Sequence, residues 1–173
     1  MIKIILVSAI AASMAPSVFA QTCNDKMERS NEQSQFILND NSGVVTDAVN
    51  ALDWQICPLG MSFENGDCIG TATQFDSWKM TLDAVSSFNA SSDVQYRLPT
   101  IIELSSIVER SCSSPAIDVA AFPSTPNAWF WTSTYTFGAN DVDLGRKINF
   151  EDGLEFDNRA NSNRHIRLVR SLR

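Results

Sequence analysis

The chain carries one histidine, His165, and four cysteines, Cys23, Cys57, Cys68 and Cys112. A nucleophile–base pair or a closed metal site would have to be built from these residues. Ser-His-Asp catalysis needs an imidazole with a free nitrogen beside its nucleophile. His165 instead stands among arginines in the alternating run His165-Ile166-Arg167-Leu168, the setting of a surface residue on a strand. A tetrahedral zinc site needs four nitrogen or sulfur ligands within reach; no CxxC pair is present, and one histidine does not complete the set. Glu151 and Asp152 are adjacent carboxylates, but they belong to a turn, so acid–base work is not their natural role. No catalytic residue is assigned, and an enzyme is the weakest reading.

Two charged clusters adjoin near the C-terminus. Asp141, Asp143, Glu151, Asp152, Glu155 and Asp157 could supply carboxylate oxygens to calcium, which takes six to eight. A solvated acidic face is the plainer reading, so no metal or cofactor is expected. Arg159, Arg164, Arg167, Arg170 and Arg173 follow with no intervening acid. Guanidinium forks suit sulfate and carboxylate groups, which makes Arg159, Arg164, His165 and Arg167 candidate contacts for an anionic ligand. Alternation puts His165 and Arg167 on one face and Arg170 on the other, with Ile166 and Leu168. The competing expectation is that these arginines pair with the acidic segment inside the fold. Arg97 is expected to pair with Glu103 or with other buried acceptors, as a structural residue. Asn89-Ala90-Ser91 fits a glycosylation acceptor and is treated as a chance match.

The elements that position these residues begin after an export signal. Met1–Lys3 is basic, residues 4–15 are almost wholly apolar, and Val18-Phe19-Ala20 supplies a small-residue cleavage site. The apolar stretch is too short to span about 30 Å of hydrocarbon, so cleavage after Ala20 and a secreted or periplasmic location are expected, with no membrane span afterwards. The formal charge of −7 lacks the basic footprint of nucleic-acid binding. Loss of Lys3 leaves 12 basic residues against 20 acidic. An exported chain with four cysteines reads as two disulfides. Glu64-Asn65-Gly66-Asp67 looks like a hairpin turn and favours Cys57–Cys68; Cys23–Cys112 follows by elimination.

Residues 21–35 read as a polar lead-in, loosely held along 24–42. Residues 44–57 suggest two short strands and a turn. Trp78, Leu82, Val85 and Phe88 form one apolar stripe of a helix over 76–88. Thr100-Ile101-Ile102-Glu103 is a capping box that opens a second helix, ending before Cys112. Residues 129–135 have the composition of a core strand. The hairpin around Asp152-Gly153 is expected to pair Phe150 with Leu154 and Ile148 with Phe156, and 165–170 to close the sheet. Two helices followed by a strand-rich half make an α+β fold.

Read in order, these pieces resemble the Lcl C-terminal domain family. The resemblance rests on Gly43-Val44-Val45-Thr46-Asp47, Leu52-Asp53-Trp54-Gln55-Ile56-Cys57, Cys68-Ile69-Gly70-Thr71-Ala72, Tyr96-Arg97-Leu98-Pro99-Thr100, Phe122-Pro123, Phe130-Trp131-Thr132-Ser133-Thr134 and Ile166-Arg167-Leu168-Val169-Arg170. It covers roughly residues 36–171, within one domain expected over 36–173. Asn50-Ala51 and Tyr96 depart from the family's usual Thr-Gly and Trp. The resemblance implies a fold similar to C-type lectins and formylglycine-generating enzymes, with a twisted, antiparallel, loop-rich sheet. It also implies a bacterial exported protein, often acting in surface attachment. The expectation is therefore a non-catalytic module that binds a glycan or other surface ligand. An assembly component that binds another exported protein is the alternative, and a formylglycine-generating type of enzyme comes last.

Overall fold

The computed structural model describes residues 21–32, 34–39, 42–137, 143–157 and 164–172. The signal segment, Asp141, Arg159 and Arg173 lie outside the described residues. In chain order the elements are β1 (Thr22–Cys23), β2 (Phe36–Asn39), β3 (Val44–Asp47), β4 (Leu52–Gln55), β5 (Met61–Glu64), β6 (Asp67–Gly70), α1 (Trp78–Ala90) and α2 (Ile101–Ser106). They continue as β7 (Cys112–Ser113), β8 (Trp129–Phe137), β9 (Asp143–Asn149), β10 (Glu155–Asp157) and β11 (Val169–Ser171). The described strands form antiparallel sheets ordered β11-β4-β3-β2 and β10-β9-β8, with ribbons β5-β6 and β1-β7. The fold is α+β. Six of the described strands nonetheless precede the helices; at four residues or fewer, they are too short for the sequence to display a period.

Both helices start where their caps dictate. The Ser77 side chain accepts from the Met80 N–H, and Thr100 and Glu103 complete the reciprocal capping box. On α1 the inward residues are Trp78, Thr81, Val85 and Phe88, whereas Leu82 is 40% exposed. At 100° per residue the inward arc centres between Trp78 and Phe88, and Leu82 falls on its rim. This corrects the expected stripe.

The two disulfides are Cys57–Cys68 and Cys23–Cys112. The first braces the β5–β6 hairpin, whose turn residues Asn65 and Gly66 have φ of 52° and 85°, the left-handed pair a tight hairpin turn needs. The second ties β1 to β7. The polar lead-in is held far more firmly than expected. Glu109, fully buried, accepts from the N–H groups of Ser30, Asn31 and Ser111 and from the Ser111 hydroxyl. Gln21 donates to the carbonyls of Pro115 and Ile117.

The β9–β10 register also differs from expectation: Ile148 faces Glu155 and Lys147 faces Phe156. Phe150 has left the ladder for the core, its N–H bound to the Ala128 carbonyl. Phe156 instead lies against Trp129, with Lys147 over both rings. Aromatic and cation–π contacts around the buried Lys147, on the sheet face opposite Ile148, thus replace the aliphatic match that would have selected the other register.

Two apolar clusters fill the interior. One joins Trp54, Leu104, Phe122, Phe130 and Phe150; the other joins Phe75, Tyr96, Leu98, Trp131, Ile166 and Leu168. Residues 164–168 run between them and are buried on both faces. Arg164 and Arg167 have no exposed surface and His165 is 4% exposed. The expected strand with one open face is therefore corrected: β11 spans only Val169–Ser171, and the run before it is core.

Candidate functional site

β4 sits between β3 and β11, so the residues opposite Asp53 are Thr46 on one side and Arg170 on the other. Residues that face each other across an antiparallel pair share a face of the sheet. The Thr46 hydroxyl donates to Asp53 Oδ1 at 2.6 Å, and Arg170 donates from Nε and Nη2 to Oδ2 at 3.0 and 2.8 Å. The Arg170 guanidinium stands 5.5 Å from the centre of the Tyr96 ring. A buried carboxylate, a fork and an aromatic ring are thereby fixed in sequence.

The segment that carries Tyr96 is positioned as firmly. The Asn89 side chain, at the end of α1, clasps Tyr96 through its backbone: Nδ2 donates to the Tyr96 carbonyl and Oδ1 accepts its N–H, at 2.7 and 2.9 Å. Arg97 exchanges two backbone hydrogen bonds with Val169, which adds this segment to the edge of β11. Its side chain forms a bidentate pair with Glu103, both contacts at 2.7 Å. Asp53, Tyr96, Arg97 and Arg170 wall a cleft of about 440 Å³ with Asp93, Gln95 and Ser171.

The electrostatics follow from these partners. Burial would raise the Glu103 pKa, but the Arg97 hydrogen bonds and the Thr100 N–H outweigh it and hold the carboxyl below its ordinary value. The Glu103 hydrogen bond raises Arg97 in turn. Burial raises the Tyr96 phenol, with Arg170 opposing. The cleft presents the Arg97 and Arg170 guanidinium groups, the Asp53 and Asp93 carboxyl groups and Tyr96. Such a wall offers directed donors and acceptors to a polar ligand.

Of the expected anion contacts, Arg164, His165 and Arg167 lie elsewhere, and Arg159 is outside the described residues. Arg167 donates to the carbonyls of Gln55 and Ile56 and to the Thr125 hydroxyl, with its guanidinium 4.8 Å from the Phe122 ring centre. Arg164 stacks 4.5 Å from the Trp131 ring centre. His165 gives Nδ1 to the Thr73 carbonyl. Their burial means Arg164, His165 and Arg167 do not form an exposed anion site. Arg170 pairs with Asp53 of β4 rather than with the acidic segment, while Arg146 does pair with Glu155. Among the described residues no three histidine, cysteine or acidic side chains are grouped to hold a metal, and no helix is long and apolar enough to cross a membrane.

Sequence reasoning found the Arg97–Glu103 pair but missed Asp53, Asn89 and Tyr96 as one constellation. The available signal was a buried-type strand, Leu52-Asp53-Trp54, carrying an unexplained acid. The arrangement defines an α+β, disulfide-stapled domain whose most prepared surface is a polar cleft at one sheet edge. Residues 43–170 match the Lcl C-terminal domain, and the chain belongs to that family. No curated protein and no solved structure matches it.

Proposed function

We propose that this chain is a non-catalytic, exported binding module with a C-type-lectin-like scaffold, and that the Asp53–Tyr96–Arg97–Arg170 cleft receives a polar surface ligand such as a glycan. The carrying observation is the preorganised wall. Arg97 and Arg170 are held by carboxylates yet keep 42% and 33% of their side chains exposed, so their remaining N–H groups can donate without reorganisation. All four cysteines are disulfide-bonded and the histidine is buried, which supports binding over catalysis. Two disulfides fit an oxidising compartment and an exported life after cleavage at Ala20.

The test is a glycan array together with a heparin column at moderate salt. Retention on either is expected and should weaken in Arg97→Ala; absence of binding on both overturns the glycan reading. A second reading, assembly with another exported protein, is favoured by β2. It is the outer strand of its sheet and exposes Ile37 and Leu38 at 58% and 42%, an edge that another chain could extend. Co-purification from an envelope fraction, lost on Ile37→Lys, would select it.

A further inference from the structure

The base of the β5–β6 hairpin, Thr71, Ala72, Gln74 and Pro126 line a second, shallow and open cleft, of about 520 Å³, which shares no lining residue with the first. His165 lies in its floor. The backbone of His165 is fully used, its N–H donating to the Trp129 carbonyl at 3.0 Å and its carbonyl accepting from the Trp131 N–H at 2.9 Å. Nδ1 lies 2.9 Å from the Thr73 carbonyl. A carbonyl only accepts, so Nδ1 carries the proton and Nε2 keeps a bare lone pair. Thr73 is itself anchored by its N–H to the Leu59 carbonyl at 2.8 Å, and the Phe130 ring centre stands 5.4 Å from the imidazole. The ring can therefore neither turn nor change tautomer cheaply. Among the described residues Nε2 has no hydrogen-bond partner, although the residue is more than nine-tenths buried.

What lines the rest of the cleft defines the complement. Met61, Ala72 and Pro126 give apolar walls, Thr71 and Gln74 stand exposed at the rim, and among the described residues no aspartate, glutamate, lysine or arginine lines it. Among those residues a polyanion finds no cation there, and a cation finds no carboxylate. We propose that this cleft binds a neutral, hydroxyl-bearing ligand of the saccharide class, one hydroxyl donating to His165 Nε2 while carbon-bound faces lie against Met61 and Pro126. The site rests on the reading of the chain as a binding module, but not on the Arg97–Arg170 cleft. Burial lowers the His165 pKa, with the Thr73 carbonyl partly opposing, so the acceptor form prevails at neutral pH.

His165 is the chain's one histidine, so a long-range proton–nitrogen spectrum of labelled protein reports a single imidazole. Glucose, galactose, mannose and N-acetylglucosamine would each be titrated to about 50 mM, well above a millimolar Kd. At least one is expected to move the Nε2 resonance saturably while leaving Nδ1 nearly still. His165→Asn, which retains a donor toward Thr73 and deletes Nε2, should weaken that sugar about tenfold; Gln74→Ala at the rim should weaken it less. Arg97→Ala should leave the titration unchanged, and His165→Asn should leave heparin retention unchanged. If no sugar moves Nε2 saturably in the unaltered protein, the proposal fails whatever the variants do, and the first cleft stands or falls separately on its own column. An Nε2 shift that Arg97→Ala abolishes would equally overturn it, by placing the ligand in the other cleft.

Discussion

Arg167 and Arg170 are three residues apart, and their surroundings differ in every respect that decides what a cation can do. Arg167 is fully buried and meets only neutral partners, two carbonyls, a hydroxyl and an aromatic face. Burial lowers its pKa to about 9, still high enough to keep the charge at neutral pH, and its Nε has no hydrogen-bond partner among the described residues. Arg170 is one-third exposed and paired with a carboxylate. One guanidinium ties the end of β4, the Phe122–Thr125 turn and the final segment together; the other faces solvent with donors to spare. Sequence proximity and shared charge do not make a binding patch. The partner and the solvent contact do.

The buried side of this contrast predicts the largest effects. Arg167→Ala should cost about 4 kcal/mol in chemical unfolding, because three acceptors lose their donor and a cavity opens against Phe122. A loss under about 1 kcal/mol would show that the interior does not depend on this cation and would collapse the comparison. Arg167→Met should recover part of the packing and none of the hydrogen bonding.

Glu109 is the acidic counterpart, and its effect should be slightly smaller. Burial raises its pKa, but the Ser111 hydroxyl and the N–H groups of Ser30, Ser111 and Asn31 prevail and bring it down to about 2. A carboxyl whose folded pKa lies below its unfolded value stabilises above the unfolded value, and that contribution is lost as pH falls through the folded one. Stability should therefore drop by about 3 kcal/mol between roughly pH 4.5 and pH 2. Glu109→Gln should remove most of that acid limb and loosen the 21–32 strap, read by amide hydrogen exchange. His165 adds an earlier step: its pKa is lowered by burial, so stability begins to fall as pH drops below about 6.5, and His165→Asn should abolish that step alone.

These contrasts also mark what the amino-acid order reveals. The Thr100–Glu103 capping box, the Asn65-Gly66 turn and the Cys57–Cys68 staple are local: each is decided by residues a few positions apart, and each was legible. The burial of 164–168 was not. An alternating run that carries arginines is indistinguishable from a surface strand until Phe122, Trp131 and the carbonyls of Gln55 and Ile56 arrive from distant segments. The Asp53–Arg170 pair spans 117 residues and depends on which strand flanks β4, a question of topology. The Glu109 knot was hidden for the same reason, since the Ser30 and Asn31 donors come from about 80 positions away and only Ser111 is local.

On the exposed side the effects should fall on binding more than on folding. Arg97→Ala removes a bidentate but partly solvated pair, so about 1 kcal/mol of stability is at stake. Glycan or heparin retention should weaken about tenfold, the value of one charge-assisted hydrogen bond. A stability loss as large as that of Arg167→Ala, with retention unchanged, would make the cleft another structural knot and dissolve the distinction between the two regions.

Arg170→Lys gives the smallest effect and the sharpest reading of the cleft. Lysine keeps the charge opposite Asp53 but loses the fork that reaches Oδ2 from two nitrogens, and its compact ammonium stacks less well on the Tyr96 ring. Unfolding should change by about 0.5 kcal/mol, since the cross-strand attraction survives. Ligand retention should still fall about threefold, because a point charge cannot both hold Asp53 and aim a second donor into the cleft. Full retention in the lysine variant would mean that the ligand senses charge alone, and the planar geometry on β11 would then serve the sheet rather than recognition.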